Sequence, residues 1–152
     1  MQLRGLDGQS VELHIVGYQF PELATVEYDS NWLRIEGQVR HPRGQWSFQD
    51  PCLLTYEVSR LADWLDALAQ EKPDGDEIDF LEPNLSFRIV RSVAFTLLRV
   101  YFELEARPTW VATSSAGLDD LWVEFPVREL DLRQAARSLR EALAIYPQRT
   151  KR

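Results

Sequence analysis

The sequence of 152 residues is poor in the residue types on which metal, disulfide and cofactor sites depend. It has one cysteine, Cys52, which excludes an internal disulfide and a cysteine cage for zinc or an iron–sulfur cluster. Its two histidines, His14 and His41, lack the further ligands that a zinc site needs. The seven glycines are scattered and form neither a phosphate-binding loop nor a dinucleotide fingerprint. We therefore expect no metal and no cofactor.

Long apolar runs and an excess of positive charge are also missing. No stretch approaches the roughly 18 apolar residues that span a bilayer, and the first residues lack the apolar segment of a signal peptide. We therefore expect a cytoplasmic protein without a membrane partner. The net charge is −7, which argues against direct binding of nucleic acid because phosphates require a positive surface. The charge favours a basic protein as the partner.

The sequence does contain the hydrophobic patterning of one domain, 1–152, with residues 148–152 expected to be a frayed tail. Period-two alternation predicts strands, at residues 11–17, 32–40, 45–48, 77–81, 85–89, 95–105 and 121–127. Three- and four-residue spacing predicts one helix from about residue 53, with Asp50 and Pro51 at its start, and another after an N-cap at Asp131. Short turns favour antiparallel pairing. The predicted fold class is α+β, a curved, mostly antiparallel sheet of about six or seven strands with two helices packed on it.

Candidate nucleophiles are few. Cys52 comes near the predicted start of the first helix, where the pKa of a thiol can be lowered, but a buried packing role is favoured. Ser114 and Ser115 lie in a predicted loop, Thr113–Gly117, without the Gly-x-Ser-x-Gly turn of hydrolases. We predict no catalytic residue and a protein that is not an enzyme.

An alternative to a pure binding protein is a ligand-binding protein or enzyme with a pocket on the concave side of the predicted sheet. Glu103 and Glu105 share one face of a predicted long strand, and Arg99 lies on the same strand. These groups could line the site of a small-ligand-binding protein or an enzyme. Pairing of the glutamates with Arg88 or Arg99 on neighbouring strands is the favoured interpretation.

An acid-rich segment, residues 71–82, is the main charge feature. It contains Lys72 and six acids, Glu71, Asp74, Asp76, Glu77, Asp79 and Glu82. Such a segment either keeps an edge strand soluble or presents a negative surface to a cationic partner. We predict partner binding by Asp74, Asp76, Glu77, Asp79 and Glu82. The outward-facing aromatic residues Trp32 and Tyr101 are further candidates, although burial of both in the core is slightly favoured.

Several sequence blocks together resemble the WapI-type immunity protein family. They are 17–21, 28–33, 46–55, 80–87, 102–110 and the terminal helix from Asp131. The resemblance implies a bacterial cytosolic protein that binds and neutralises the toxic C-terminal domain of a contact-delivered toxin, the named case being a tRNA nuclease. It implies a role and no individual binding residues. Self-association through a free strand edge, as in a homodimer, stays open.

Overall fold

The computed structural model describes residues 1–111 and 120–150, which form two antiparallel sheets and two long helices. The strands are β1 (Gln2–Arg4), β2 (Ser10–Tyr18), β3 (Trp32–His41), β4 (Gly44–Leu54), β5 (Glu77–Asp79), β6 (Leu85–Arg91), β7 (Thr96–Phe102) and β8 (Leu121–Pro126). The helices are α1 (Thr55–Ala69) and α2 (Leu132–Ile145). The predicted α+β class is confirmed. The predicted loop Thr113–Gly117, with Ser114 and Ser115, lies outside the described residues.

The strands divide into two sheets of four, so the prediction of one larger sheet is wrong. The order is β1-β2-β3-β4 in the first sheet and β5-β6-β7-β8 in the second, and each strand pairs with its neighbours in the chain. Helix α1 follows β4 directly and separates it from β5. Side-chain alternation predicts strands but not which edges meet, because the main-chain donors and acceptors of every strand are alike.

The first sheet follows the predicted alternation. Leu33, Ile35 and Val39 of β3 are buried, while the polar residues between them are half-buried or exposed. Gly37 continues the buried face, and a Cβ there would lie 2.2 Å from the ring of Phe48. The absence of a side chain at Gly37 therefore makes room for an aromatic ring from the paired strand.

The predicted start of the first helix is wrong. Strand β4 continues through Pro51 to Leu54, and α1 begins at Thr55. The register with β3 shifts at this point, so that Pro51 and Cys52 lie in a bulge. A proline is tolerated in a bulge because its missing N–H leaves no regular ladder hydrogen bond unmade. Cys52 is consequently a strand residue and not part of the first turn of α1.

The longest predicted strand, residues 95–105, is shorter in the structure. Strand β7 ends at Phe102, and a 3-10 turn, Leu104–Ala106, follows it. Leu104 has a φ of 50°, in the left-handed region, which takes the chain out of the strand conformation. Glu103 and Glu105 therefore do not share one strand face.

The two helices pack against each other and close one hydrophobic core. The predicted apolar stripe of α1 is confirmed as buried, at Val58, Leu61, Leu65 and Leu68. The predicted N-cap of α2 is confirmed, since Asp131 Oδ1 accepts the N–H of Gln134 at 3.1 Å. Arg149, in the tail expected to be frayed, is held against residues 18–31. Within the described residues, no helix is long and apolar enough to cross a membrane.

Candidate binding surface

The acid-rich segment forms an edge of the second sheet. It runs from the end of α1 through β5, which pairs on one side only, with β6. The side chains of Glu71, Asp74, Asp76, Glu77 and Asp79 are exposed, whereas Glu82 is half-buried. Exposed charges on an edge strand such as β5 disfavour its pairing with another chain.

Most of these carboxylates make no ion pair in the part of the chain that the structure describes. Within the described residues, only Asp76 among the six acids makes a salt bridge, to Arg91 at 2.8 Å. Glu77 lies opposite Arg88 in the register of β5 and β6, yet the two side chains make no ion pair there. The guanidinium of Arg60 donates to the backbone carbonyl of Asp79. The carboxylate of Asp79 makes no ion pair among the described residues. The segment therefore keeps a strong negative charge that a cationic partner can neutralise.

Two exposed tyrosines lie near the start of α1, the helix to which Glu57 and Arg60 tie the acid-rich segment. Tyr28 is 55% exposed, and Tyr56, in the first turn of α1, is 38% exposed. Partial burial raises the pKa of Tyr56, and so do the nearby Glu57 carboxylate, the Tyr28 hydroxyl and the Glu27 carboxylate, which places these groups together. Tyrosines are frequent anchors of protein interfaces. We call residues 71–82 with Tyr28 and Tyr56 the acidic–tyrosine surface.

Glu57 joins the parts of this surface. Its side chain is buried, and its two oxygens accept the backbone N–H groups of Leu54 at 3.0 Å and Leu81 at 2.7 Å. The first bond caps the start of α1, and the second holds the acid-rich segment against that helix end. The backbone of Leu81, whose side chain is 63% exposed, is thereby held at the start of α1.

Glu82 belongs to a second group of carboxylates. Asn84, buried, donates from Nδ2 to Asp50 Oδ2 at 3.3 Å and to Glu105 Oε2 at 3.1 Å. Burial raises the pKa of Asp50, and the nearby charges of Glu105 and Glu82 raise it further. Asp50, Glu82 and Glu105 thus bring negative charge from three chain segments to one place at the end of the acid-rich segment. In the described part of the chain, no group of side chains is arranged to hold a metal ion.

Neither of the two predicted aromatic contacts is fully exposed. Trp32, half-buried, lies on β3 opposite Leu54 of β4. Tyr101 is 8% exposed, because the guanidinium of Arg88 lies 5.0 Å from the centre of its ring and the ring of Trp122 lies at 5.5 Å. Tyr101 is therefore covered by these two side chains, as the slightly favoured core interpretation predicts, and it is not an exposed anchor.

The groups considered for a catalytic pocket are dispersed. Glu103 pairs with Arg107 at 2.9 Å, rather than with an arginine on a neighbouring strand. Arg99 pairs with Glu124 at 2.6 Å, and Glu105 bonds to Asn84 in the carboxylate group described above. Each of these side chains has a separate partner, so the three do not converge on one cavity.

The thiol of Cys52 is unsuited to nucleophilic chemistry. It is completely buried in the bulge of β4. Burial, and to a smaller extent the nearby Asp50 carboxylate, raises the pKa of the thiol far above its ordinary value. The thiol is therefore neutral, as the packing interpretation of the sequence required.

Sequence reasoning missed four residues that the fold makes important: Tyr28, Tyr56, Asn31 and Arg149. The tyrosines occur in unrelated segments, and only the chain path brings them together. Asn31 is buried at the centre of a hydrogen-bond network with the C-terminal segment. The block 28–33, noticed for its family resemblance, was the one signal that pointed to Tyr28 and Asn31.

The described residues expose several carboxylates of the acid-rich segment together with Tyr28 and Tyr56. No curated protein and no solved structure matches the chain. The model of the WapI-like immunity protein family matches residues 2–147. Because this match covers nearly the whole sequence, the chain belongs to the WapI-like immunity protein family.

Proposed function

We propose that this protein binds its cognate toxin domain through the acidic–tyrosine surface and neutralises that domain in the cytoplasm by covering its active cleft. Membership of the family supports a toxin-neutralising role in general. The observation that supports the proposed surface is a set of exposed carboxylates, of which only Asp76 makes an ion pair within the described residues, together with two exposed tyrosines near the start of α1. Occlusion of a cleft requires tight binding and no catalytic group.

The proposed toxin is basic, and a nuclease fits this description. Nuclease domains hold phosphates with cationic side chains, so an inhibitor that competes for that surface is acidic. Complementary charge speeds the encounter of two proteins and excludes partners of the wrong sign. The net charge of −7 supports this pairing, while Tyr28 and Tyr56 supply the desolvated contacts that slow dissociation.

The test compares the association rates of wild type and a charge-reduced variant with the cognate toxin domain. Asp74, Asp76, Glu77 and Asp79 are replaced together by their amides. We expect association to slow by about tenfold or more at low salt, because charges near an interface act mainly on the association rate. The difference shrinks as salt rises, since exposed charges are screened beyond about 10 Å at 0.1 M ionic strength.

A matched control removes the same charge elsewhere. Its four substitutions are Asp7→Asn, Glu36→Gln, Asp120→Asn and Glu141→Gln, all outside the acidic–tyrosine surface. A control that associates nearly as fast as the wild type shows that position matters as well as net charge. Separately, Tyr56→Ala speeds dissociation by about tenfold or more if the tyrosine is an anchor. Equal association rates of the two quadruple variants at low salt would reject this surface.

A further inference from the structure

The side chain of Arg149 fills a site built by residues 18–31. Its guanidinium carbon lies 3.6 Å from the centre of the Tyr18 ring. Its Nη1 donates to the backbone carbonyl oxygens of Phe20, at 3.2 Å, and Leu23. An aromatic face and two carbonyl acceptors thus surround a planar cation. We call Tyr18, Phe20, Leu23 and Asn31 the arginine socket.

Asn31 recognises the backbone of the same segment. Its Oδ1 accepts the N–H of Arg149 at 2.8 Å, and its Nδ2 donates to the carbonyl of Arg149 at 2.9 Å. The side-chain amide therefore pairs with the two backbone polar groups of Arg149 as a residue of a neighbouring strand would. The chain leaves this conformation at Thr150, which has a φ of 55°. Bonds to Thr55 Oγ1 at 2.9 Å and to the Glu27 carbonyl at 2.6 Å hold Asn31 in place independently of the tail.

The socket is specific for arginine among the cationic side chains. A guanidinium is planar, so it can stack on the Tyr18 ring while its edge donates to carbonyl oxygens. A lysine ammonium is compact and strongly hydrated, and it cannot make both contacts in the same way. The Asn31 amide adds a requirement for an extended backbone at the arginine, so the site selects a side chain and a peptide conformation together.

The arginine that fills the socket can leave without disturbing the core. The socket residues lie within the family match of residues 2–147, whereas Arg149 lies beyond it. The buried residues of α2 end at Leu139, well before the tail. Departure of residues 148–150 therefore exposes the socket while the sheets and helices keep their packing.

The surroundings of the socket favour a cation from a partner. Residues 19–31 include the acids Glu22, Glu27 and Asp29 and no lysine or arginine. Tyr28, in the same segment, belongs to the acidic–tyrosine surface. A basic protein that approaches this surface brings arginines close to the socket, and the negative segment attracts them.

We propose that the arginine socket binds an arginine on an extended segment of a basic partner protein, in competition with Arg149, which occupies the socket in the free protein. Identification of that partner as the toxin domain rests on the proposed function. The socket itself rests on the contacts of Arg149, and a peptide tests it without the toxin. Failure of the peptide experiment and failure of the toxin experiment are therefore distinguishable.

The probe is a capped peptide with the sequence of residues 147–150, Pro-Gln-Arg-Thr. It is titrated into isotope-labelled full-length protein while the NMR signals of the Asn31 side-chain amide and the Leu23 backbone amide are followed. In Arg149→Ala we expect saturable shifts of both signals. The affinity of the wild type for the peptide should be lower by about tenfold or more, because Arg149 occupies the socket in most molecules and only a minor fraction has it open. Arg133→Ala, which removes an exposed arginine of α2, is the matched control and behaves as wild type.

The chemistry of the arginine is tested with a second peptide that carries lysine in its place. Its affinity for Arg149→Ala is about tenfold lower, as expected for loss of one stacked guanidinium. Arg149→Lys is a second protein variant that keeps the charge of the tail, and it also binds the arginine peptide. Unchanged Asn31 and Leu23 signals in both folded Arg149 variants would overturn the proposal, as would equal binding of the two peptides.

Discussion

Replacement of Glu57 by glutamine tests whether one buried carboxylate stabilises both the start of α1 and the acid-rich segment. Glu57 is 3% exposed and accepts two backbone N–H groups, from Leu54 and Leu81. Glutamine has nearly the same shape but only one side-chain oxygen. Its NH2 group would face one of the two N–H donors, so one buried donor would lose its acceptor.

The expected cost follows from that single lost acceptor. A hydrogen bond to a charged group contributes about 1.5–3 kcal/mol, and a buried donor without a partner costs about 1–3 kcal/mol. The two values describe the same lost bond, so they are not added. The neutral amide recovers part of the desolvation cost of the carboxylate. We expect the free energy of unfolding of Glu57→Gln to fall by about 2 kcal/mol, and the Tm by roughly 4–8 °C for a domain of this size.

Urea unfolding followed by tryptophan fluorescence measures this loss, with a lower midpoint and an unchanged slope. Glu77→Gln is the control, because Glu77 is exposed on β5 and makes no ion pair among the described residues. The control should stay within about 0.5 kcal/mol of wild type. If Glu57→Gln is as stable as the control, the carboxylate does not hold the two backbone groups as described.

Two positions in the first sheet allow further tests. The Cys52 thiol should react slowly with aromatic disulfide reagents in the folded protein, because burial and the nearby Asp50 raise its pKa. Labelling as fast as that of a free thiol would contradict this placement. Replacement of Cys52 by alanine should lower the free energy of unfolding by about 1 kcal/mol without loss of toxin binding. Gly37→Ala should destabilise the protein by about 1–3 kcal/mol in urea unfolding, because its Cβ would lie 2.2 Å from the Phe48 ring, and a stability equal to wild type would show that the ring moves aside freely.

Local patterns predicted much of the fold. The buried face of β3 and the apolar stripe of α1 were predicted because side chains alternate in a strand and recur every three or four residues in a helix. The N-cap at Asp131 was predicted because its bond to Gln134 spans one helical turn. The end of β4 was not, since Pro51 is as compatible with a bulge as with a first helical turn.

The candidate surface was predicted only in part. The acid-rich segment was recognisable because its charge is contiguous in the sequence. Its aromatic neighbours were not, because Tyr28 and Tyr56 meet only after the chain has folded. Tyr101 was assigned to the correct face of β7. Alternation alone does not show that Arg88 and Trp122, on the neighbouring strands, cover its ring.

The sequence by itself determined the α+β class, the buried face of most elements, the concentration of acids at residues 71–82 and, through its blocks, the family. These properties depend on neighbours within one turn or one strand, or on residue identity alone. The tertiary structure alone decided the division into two sheets, the burial of Glu57 between two backbone donors and the position of Arg149 in its socket. Each of these contacts joins distant parts of the chain, and its formation depends on how the whole chain packs rather than on any local pattern.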